Sequence, residues 1–538
     1  MNPKKTLLLA LLSAFLMWLG WPPIPYTTPL LLVGLVPLLV AYNAIKKGKT
    51  IKKGKRVFLT AGLTFLVWNT ASIYWVYNAI VQVNDPWVAA LVSLIPYGLG
   101  ALLMTGSFWL YYRLDRVTNK YIAYTGLIAF YISMEFLHQT WDLSFPWMTL
   151  GNGLSGMHQL AQWYEYTGVY GGSVWILLSN ILAYEAYAVY GSQTTPGKSR
   201  PALIWLGVVI VPAAYSMTRY FQYKEKEVPV NVVTVQPNID PNDKFDRISA
   251  MEQLNTLIKL SDSLGQPNTE YFLWPETAIP QATEEDQIRS SASYITAQSF
   301  LNKYKNGTLI TGIESVKRYR DKETTSAKPT GSGDYYDNFN TAVQIENTAN
   351  VQFYHKSKLV PGVEKMPFPT ALAFLAPVFE GFGGTVGGWG WQDKPGVFYA
   401  YSGIGVVPVV CYESLWGGWI GEAVRNGAQF IAIITNDGWW GNTSGKDQHL
   451  IYAKLRAIET RRYVVRSANT GISCFINQRG DITQQSKWWT QTALKGDINL
   501  NDELSFYVLY GDYIPKTLCL LGAVLILIIP YRRWVKKA

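Results

Sequence analysis

Cysteine and histidine are scarce in this chain. Three cysteines in 538 residues, Cys411, Cys474 and Cys519, form no disulfide framework. The four histidines, His138, His158, His355 and His449, are too scattered to suggest a metal site, and no cofactor is expected. Charge is sparse too, with Asp, Glu, Lys and Arg making up 16% of the residues. The net charge of +10 invites a nucleic-acid reading, but its placement argues against one. Lys4 and Lys5, the run from Lys46 to Arg56, and the tail Arg532, Arg533, Lys536 and Lys537 all abut apolar stretches. Basic residues beside membrane spans mark the cytoplasmic side, so no nucleic-acid partner is expected.

Apolar length is what the chain has in excess. A helix needs about 20 mostly apolar residues to cross a bilayer core. The segments 6–21, 28–44, 57–79, 87–111, 121–138, 173–191, 202–219 and 510–530 approach or meet that need, which predicts eight spans. The first resembles a signal peptide because Lys4 and Lys5 precede it, yet its repetition by further spans argues for a retained helix. One topology puts every strongly basic loop in the cytoplasm: 45–56, Arg113 to Lys120, Lys198 with Arg200, and the tail. It leaves the 139–172 loop and the segment 220–505 outside. Trp18, Trp21, Trp68, Trp75, Trp87 and Trp109 near span ends read as interfacial anchors. Glu135 falls within a span, where a carboxylate is costly. It reads either as solvated at the outer interface beside His138 or as functional.

From about residue 229 the pattern changes. Short β-rich runs at 230–236, 271–274, 308–313, 341–345, 405–410 and 430–435 alternate with helical patterns at 245–264, 284–303, 416–426 and 447–463. This alternation predicts an α/β domain. Glu276, in FLWPETAIP, and Cys411, in VVPVVCYESLWG, directly follow predicted strands; the string VQFYHKSKLVPGVEKMPF carries Lys356 and Glu364. Open α/β sheets place their sites at such strand ends. A cysteine between a strand and a helix, near a lysine, is set to favour thiolate. Each residue also has a plain reading: a turn carboxylate, a surface lysine, a core cysteine. Pro408 inside the strand before Cys411 predicts an edge or a bulge.

Taken together and in order, WPET around Glu276, KSKLVPGVE beginning at Lys356 and CYES at Cys411 resemble the three signatures of the nitrilase superfamily. TNDGWWG (435–441) and RSANTGIS (466–473) resemble two further blocks of that family. The upstream strings FPWMTLG (145–151) and AQWYEYTGVYGGS (161–173) are similar to the membrane half of the apolipoprotein N-acyltransferase family of Gram-negative bacteria. The resemblance implies a nitrilase-like αββα sandwich inserted in an eight-helix transmembrane bundle. The implied domains are 1–222 in the membrane, 223–507 as the extracytoplasmic catalytic domain, and 508–538 as the last helix and tail.

The implied reaction is acyl transfer in two halves in the bacterial inner membrane. A phospholipid acyl donor loads Cys411, and the chain passes to the α-amino group of a diacylated apolipoprotein. Carried over position by position, Cys411 is the nucleophile, Glu276 the base and Lys356 the oxyanion stabiliser, with Glu364, Tyr412 and Glu413 supporting them. Two departures stand out: Gly362-Val363-Glu364 replaces the family's F-G-E step, and Phe245 stands where the family often has Trp. The glycine-rich stretch 379–393, with Trp389 and Trp391, reads as an arm that dips into the membrane and admits lipid alongside Phe245. A membrane-tethered amidase and an inactive scaffold are the rival readings.

Overall fold

The computed structural model describes residues 3–535 apart from 50, 83–84, 191–198, 242, 245–246, 370, 372–373 and 375–387. The chain forms two compact units. The first contains Asp85–Gln222 with the segments before Val81 and after Asp512; the second is built on Tyr223–Gly511.

The first unit is helical: α1 (Pro3–Leu19), α2 (Val36–Lys47), α3 (Lys53–Ile73), α4 (Trp75–Val81), α5 (Pro86–Asp115), α6 (Lys120–Leu137), α7 (Tyr164–Tyr190) and α8 (Ser199–Gln222), with a further helix at Tyr513–Val535. Among the described residues five helical stretches are long and apolar enough to cross a membrane, or six if α3 and α4, bent by 55°, count as one span. Two of the eight expected spans fall short of that measure. Helix α1 has 17 residues; α6 has 18, and its Lys120 and Glu135 lower its apolarity. The stretch expected as an outer loop, 139–172, is wound into 3-10 turns at Pro146–Met148 and Leu150–Ala161, and α7 begins earlier than expected. Gly172 allows the close packing here, since a Cβ there would stand 1.8 Å from the Tyr164 hydroxyl.

The second unit alternates strands and helices. Its strands are β1 (Pro229–Gln236), β2 (Thr269–Leu273), β3 (Ile279–Glu284), β4 (Thr308–Tyr319), β5 (Lys328–Pro329), β6 (Tyr335–Glu346) and β7 (Val351–His355). Then follow β8 (Phe398–Tyr399), β9 (Gly405–Val410), β10 (Phe430–Thr435), β11 (Val464–Ala468), β12 (Cys474–Ile476), β13 (Ile482–Gln485) and β14 (Thr492–Asn499). One sheet runs β14-β1-β2-β4-β6-β5, with β3 on β4 and β7 on β6; the other runs β13-β12-β11-β10-β9-β8.

Period-two alternation decides which side chains meet. Val232, Leu273, Ile310, Val406, Val410 and Ala432 fill the core between the sheets. Their neighbours Val233, Val235 and Phe272 face the helices Ala250–Leu264 and Ala292–Leu301. Val407, Val409, Ile431 and Ile433 face Gly417–Arg425 and Ser444–Thr460. The result is a four-layer αββα sandwich, as expected for the nitrilase fold. Two helix starts lie later than the apolar pattern predicts. Ser249 accepts from Glu252 N and Ser291 from Tyr294 N, and each serine fixes a fresh N-terminus. Pro408 pairs with Ala432 on one side, beyond the two-residue reach of β8 on the other, so its missing N–H breaks no ladder.

Candidate active site

Strands β2 and β4 are parallel, while β6 is antiparallel to both β4 and β7. The carboxyl ends of β2 and β7 therefore leave one edge of the sheet, and Glu276 and Lys356 follow these two ends. Cys411 follows β9 in the other sheet, whose neighbours β10 and β11 run parallel to it. Two residues here adopt left-handed backbone conformations that side chains disfavour: Thr277 (φ +46°) after the glutamate, and Cys411 itself (φ +53°).

Lys356 is the centre of the polar cluster. Its ammonium, 1% exposed, donates to Glu364 Oε1 at 2.7 Å and to Glu276 Oε1 at 3.1 Å. Asn340 Nδ2 also donates to Glu276 Oε1 at 2.7 Å, and Val360 N donates to Glu364 Oε2 at 2.8 Å. Burial works against the Lys356 charge, but Glu276 and Glu364, with the adjacent Cys411, hold its pKa well above the ordinary value.

The thiol behaves in the opposite way. Burial first, then the Glu276 carboxylate, push Cys411 far up, against the opposing pull of Lys356 and a contact with Thr435. Against the expectation of a resting thiolate, burial and the flanking carboxylate favour the protonated sulfur, whose proton a base then removes.

Glu413 joins the two halves of the site. Its buried carboxylate accepts from Ser357 N (2.6 Å), Lys358 N (3.2 Å) and the Tyr354 hydroxyl (2.8 Å) beside Lys356. Its other oxygen accepts from Val410 N (2.9 Å) beside Cys411. Tyr412 is buried with its ring edge-on to Trp416 at 4.9 Å, and its phenol is pushed up by burial and then by Glu364. Beneath the cysteine, His449 Nε2 lies 3.1 Å from Cys411 O and 2.9 Å from Ser414 Oγ. Asp437 meets His449 Nδ1 at 3.0 Å and Arg466 at 2.6 Å.

Three of these contributors gave no signal as site residues. Asn340 reads as an ordinary residue of β6. Gly312 matters because a Cβ there would lie 2.4 Å from Thr277 N and 2.7 Å from Glu276 Cα. Buried Lys244 donates to Glu276 O at 3.1 Å, and burial lowers its pKa to about 8. The expected lipid-access residues do not join the cluster as a set. Trp389 N donates to Glu364 O at 3.1 Å. The Lys365 ammonium lies 4.6 Å over the Trp391 ring. Phe245, and residues 379–387 of the expected arm, lie outside the described residues. Among the described residues no group of three or more His, Cys, Asp or Glu is arranged to hold a metal ion.

A buried thiol, a carboxylate and an ammonium on adjoining strand ends form a constellation for acyl transfer through a thioester. The model of the carbon-nitrogen hydrolase family matches residues 232–505, half of the chain, and the chain belongs to that family. Residues 13–182 match the apolipoprotein N-acyltransferase N-terminal domain. Among curated relatives, an apolipoprotein N-acyltransferase of Chlorobaculum tepidum is 27% identical over 98% of this chain and 97% of its own. One of Geobacter metallireducens is 26% identical over 99% and 96%. Among solved structures, Saccharomyces cerevisiae Nit3, a nitrilase-superfamily member, aligns at 16% identity and a TM-score of 0.36, covering 50% of this chain and 90% of its own.

Proposed function

We propose that the chain is an apolipoprotein N-acyltransferase that carries an acyl group from a phospholipid, on Cys411, to the α-amino group of a diacylated lipoprotein cysteine. The observation that carries this reading is coverage. Both halves of the chain, the apolar helices and the αββα sandwich, align with relatives of that name nearly end to end. So many apolar helices are more anchor than a hydrolase of soluble amides needs, and that favours a substrate embedded in lipid.

In the first half-reaction Glu276 takes the Cys411 thiol proton as sulfur attacks the donor's ester carbonyl. The Lys356 ammonium faces the oxyanion that forms, a service worth about 3–4 kcal/mol where such donors have been deleted. When the tetrahedral adduct collapses, the C–O bond breaks, Glu276 returns the proton to the leaving oxygen, and lysophospholipid departs. In the second half Glu276 accepts a proton from the incoming amine, the amine attacks the thioester, and the thiol is regenerated. Glu364 and Asn340 hold Lys356 and Glu276 in register, while Glu413 fixes the spacing of ammonium and sulfur.

The proposed arrangement places the basic loops in the cytoplasm and the sandwich on the periplasmic side of the bacterial inner membrane. Its parts are 1–222 in the membrane, 223–507 catalytic, and 508–538 as the closing helix and tail. The test is mass spectrometry of the full-length protein after incubation with a defined phospholipid, beside Cys411→Ala. An acyl adduct on Cys411 that a diacylated lipopeptide discharges, and water does not, is the expected result. Discharge by water alone would favour the amidase reading, and no adduct would end the proposal.

A further inference from the structure

His449 is a buried ring that the catalytic scheme leaves without a task. It lies on the helix Ser444–Thr460 and is 1% exposed. Trp440 packs edge-on against it at 5.0 Å, Asp437 Oδ1 lies 3.0 Å from its Nδ1, and the Arg466 guanidinium lies 2.9 Å from the same nitrogen. Its other nitrogen, Nε2, meets Ser414 Oγ at 2.9 Å and Cys411 O at 3.1 Å. Ser414, His449 and Asp437 thus have the contacts of a serine triad, but each is 1% exposed or less, so no substrate reaches the hydroxyl. The contact with consequence for the reaction is the one to the nucleophile's own carbonyl.

A carbonyl oxygen only accepts, so that contact needs a proton on Nε2. Arg466 only donates, which fits a ring whose proton sits on Nε2 and whose Nδ1 is bare. A ring protonated on both nitrogens fits as well, with Nδ1 donating to Asp437. Asp437 is satisfied in either case, because Thr435 Oγ1 donates to its Oδ1 at 3.0 Å and Arg466 to its Oδ2 at 2.6 Å. In both forms Nε2–H points at Cys411 O.

Cys411 stands at φ +53°, a left-handed conformation that side chains disfavour and that lasts only where its surroundings over-determine it. Glu413 fixes the chain before the cysteine by accepting from Val410 N at 2.9 Å. The direction of the carbonyl fixes the torsion on the other side of the Cα, and His449 holds that oxygen. The two torsions together decide where the Cα–Cβ bond, and with it the sulfur, points. We propose that His449 is a positioning residue of the nucleophile: its Nε2–H holds Cys411 O, keeps the left-handed turn, and so aims the sulfur at Glu276 and Lys356. The inference rests on the reading of Cys411 as the acyl carrier and deepens it.

Two substitutions separate this role from a purely structural one. A glutamine amide nitrogen reaches the place of Nε2, and an asparagine amide reaches only that of Nδ1. His449→Gln therefore keeps a donor for Cys411 O, whereas His449→Asn keeps the contact with Asp437. The first measurement is the rate of acyl loading on Cys411 of the full-length protein from a defined phospholipid, read by mass spectrometry. His449→Asn is expected to lower it about 100-fold, the scale of a misplacement near ~1 Å, and His449→Gln to stay at least about tenfold above the asparagine variant. Equal rates in the two variants, or the reverse order, would assign His449 to the packing of Asp437 and overturn the proposal. So would loss of the folded state in either variant, which is what a purely structural residue predicts.

The second measurement needs no turnover: alkylation of Cys411 at neutral pH by a small neutral haloacetamide, with and without Glu276→Gln. That substitution quickens alkylation only where the sulfur stands beside the carboxylate. The quickening is expected in wild type and in His449→Gln, and is expected to vanish in His449→Asn. Its persistence in His449→Asn would show the sulfur still in place, and its absence from wild type would part the sulfur from Glu276; either overturns the proposal. An absent acyl adduct in wild type, with the expected pattern of alkylation intact, would uphold His449 and sink the transferase reading instead.

Discussion

At Cys411, burial and the Glu276 carboxylate both oppose ionisation, and Lys356 only partly offsets them. The thiolate fraction therefore stays small and grows about tenfold per pH unit across the neutral range. Alkylation of Cys411 by a small neutral haloacetamide is expected to rise with pH from about 6 to 9 at a logarithmic slope near one. A plateau within that window would show a preformed thiolate and contradict the assignment. Glu276→Gln removes the negative neighbour, so alkylation at neutral pH is expected to quicken while acyl loading is lost. Residue-scale legibility was uneven for a physical reason. Glu276, Lys356 and Cys411 stand in strings at or just beyond strand ends, where local pattern speaks. Asn340 and Lys244 act on Glu276 across 64 and 32 residues of sequence, and only the folded register creates those contacts.

At the scale of elements, the site depends on how closely strands approach the loops they serve. Gly312 on β4 lets the segment after β2 cross it, with Gly312 N donating to Pro275 O at 3.1 Å. Gly312→Ala is expected to displace Glu276 and lower acyl loading by about 100-fold, the scale of a misplacement on the order of 1 Å. Circular dichroism should remain that of the folded protein, and an unaltered loading rate would refute the packing argument. Beneath the β9 end, Asp437 ties β10 to Arg466 of β11 and to His449 of the helix Ser444–Thr460. Burial raises its carboxyl, but Arg466 and His449 outweigh this and hold it well below the usual carboxylate range. Its contribution to stability is thus complete above about pH 4 and is lost only as pH falls through that depressed value. Asp437→Asn leaves Arg466 buried without its partner and is expected to cost about 3–5 kcal/mol, read as a lower thermal midpoint. The alternation that predicts the sandwich is a local property of β1, β2, β9 and β10. The helix starts at Ser249 and Ser291 are set by caps that the longer apolar pattern runs past, and β12, three residues long, is too short to leave a pattern.

For the whole molecule, the basic loops and the sandwich lie on opposite sides of the membrane in the proposed arrangement. In a Cys519→Ser background, an impermeant maleimide applied to intact cells is expected to label Ser332→Cys, in an exposed turn of the second unit, after opening of the outer membrane. Lys49→Cys is expected to react only once the inner membrane is breached. The reverse pattern would invert the topology. The protonated thiol described above also bears on survival in that location. Oxidants attack thiolate, and a sulfur whose ionisation is opposed by burial and by the Glu276 carboxylate offers them little to attack. The periplasm is kept oxidising, and within the sandwich Cys474 packs in a different core cluster from Cys411. In the proposed location, a thiol that stays protonated between substrates is protected by its own dormancy.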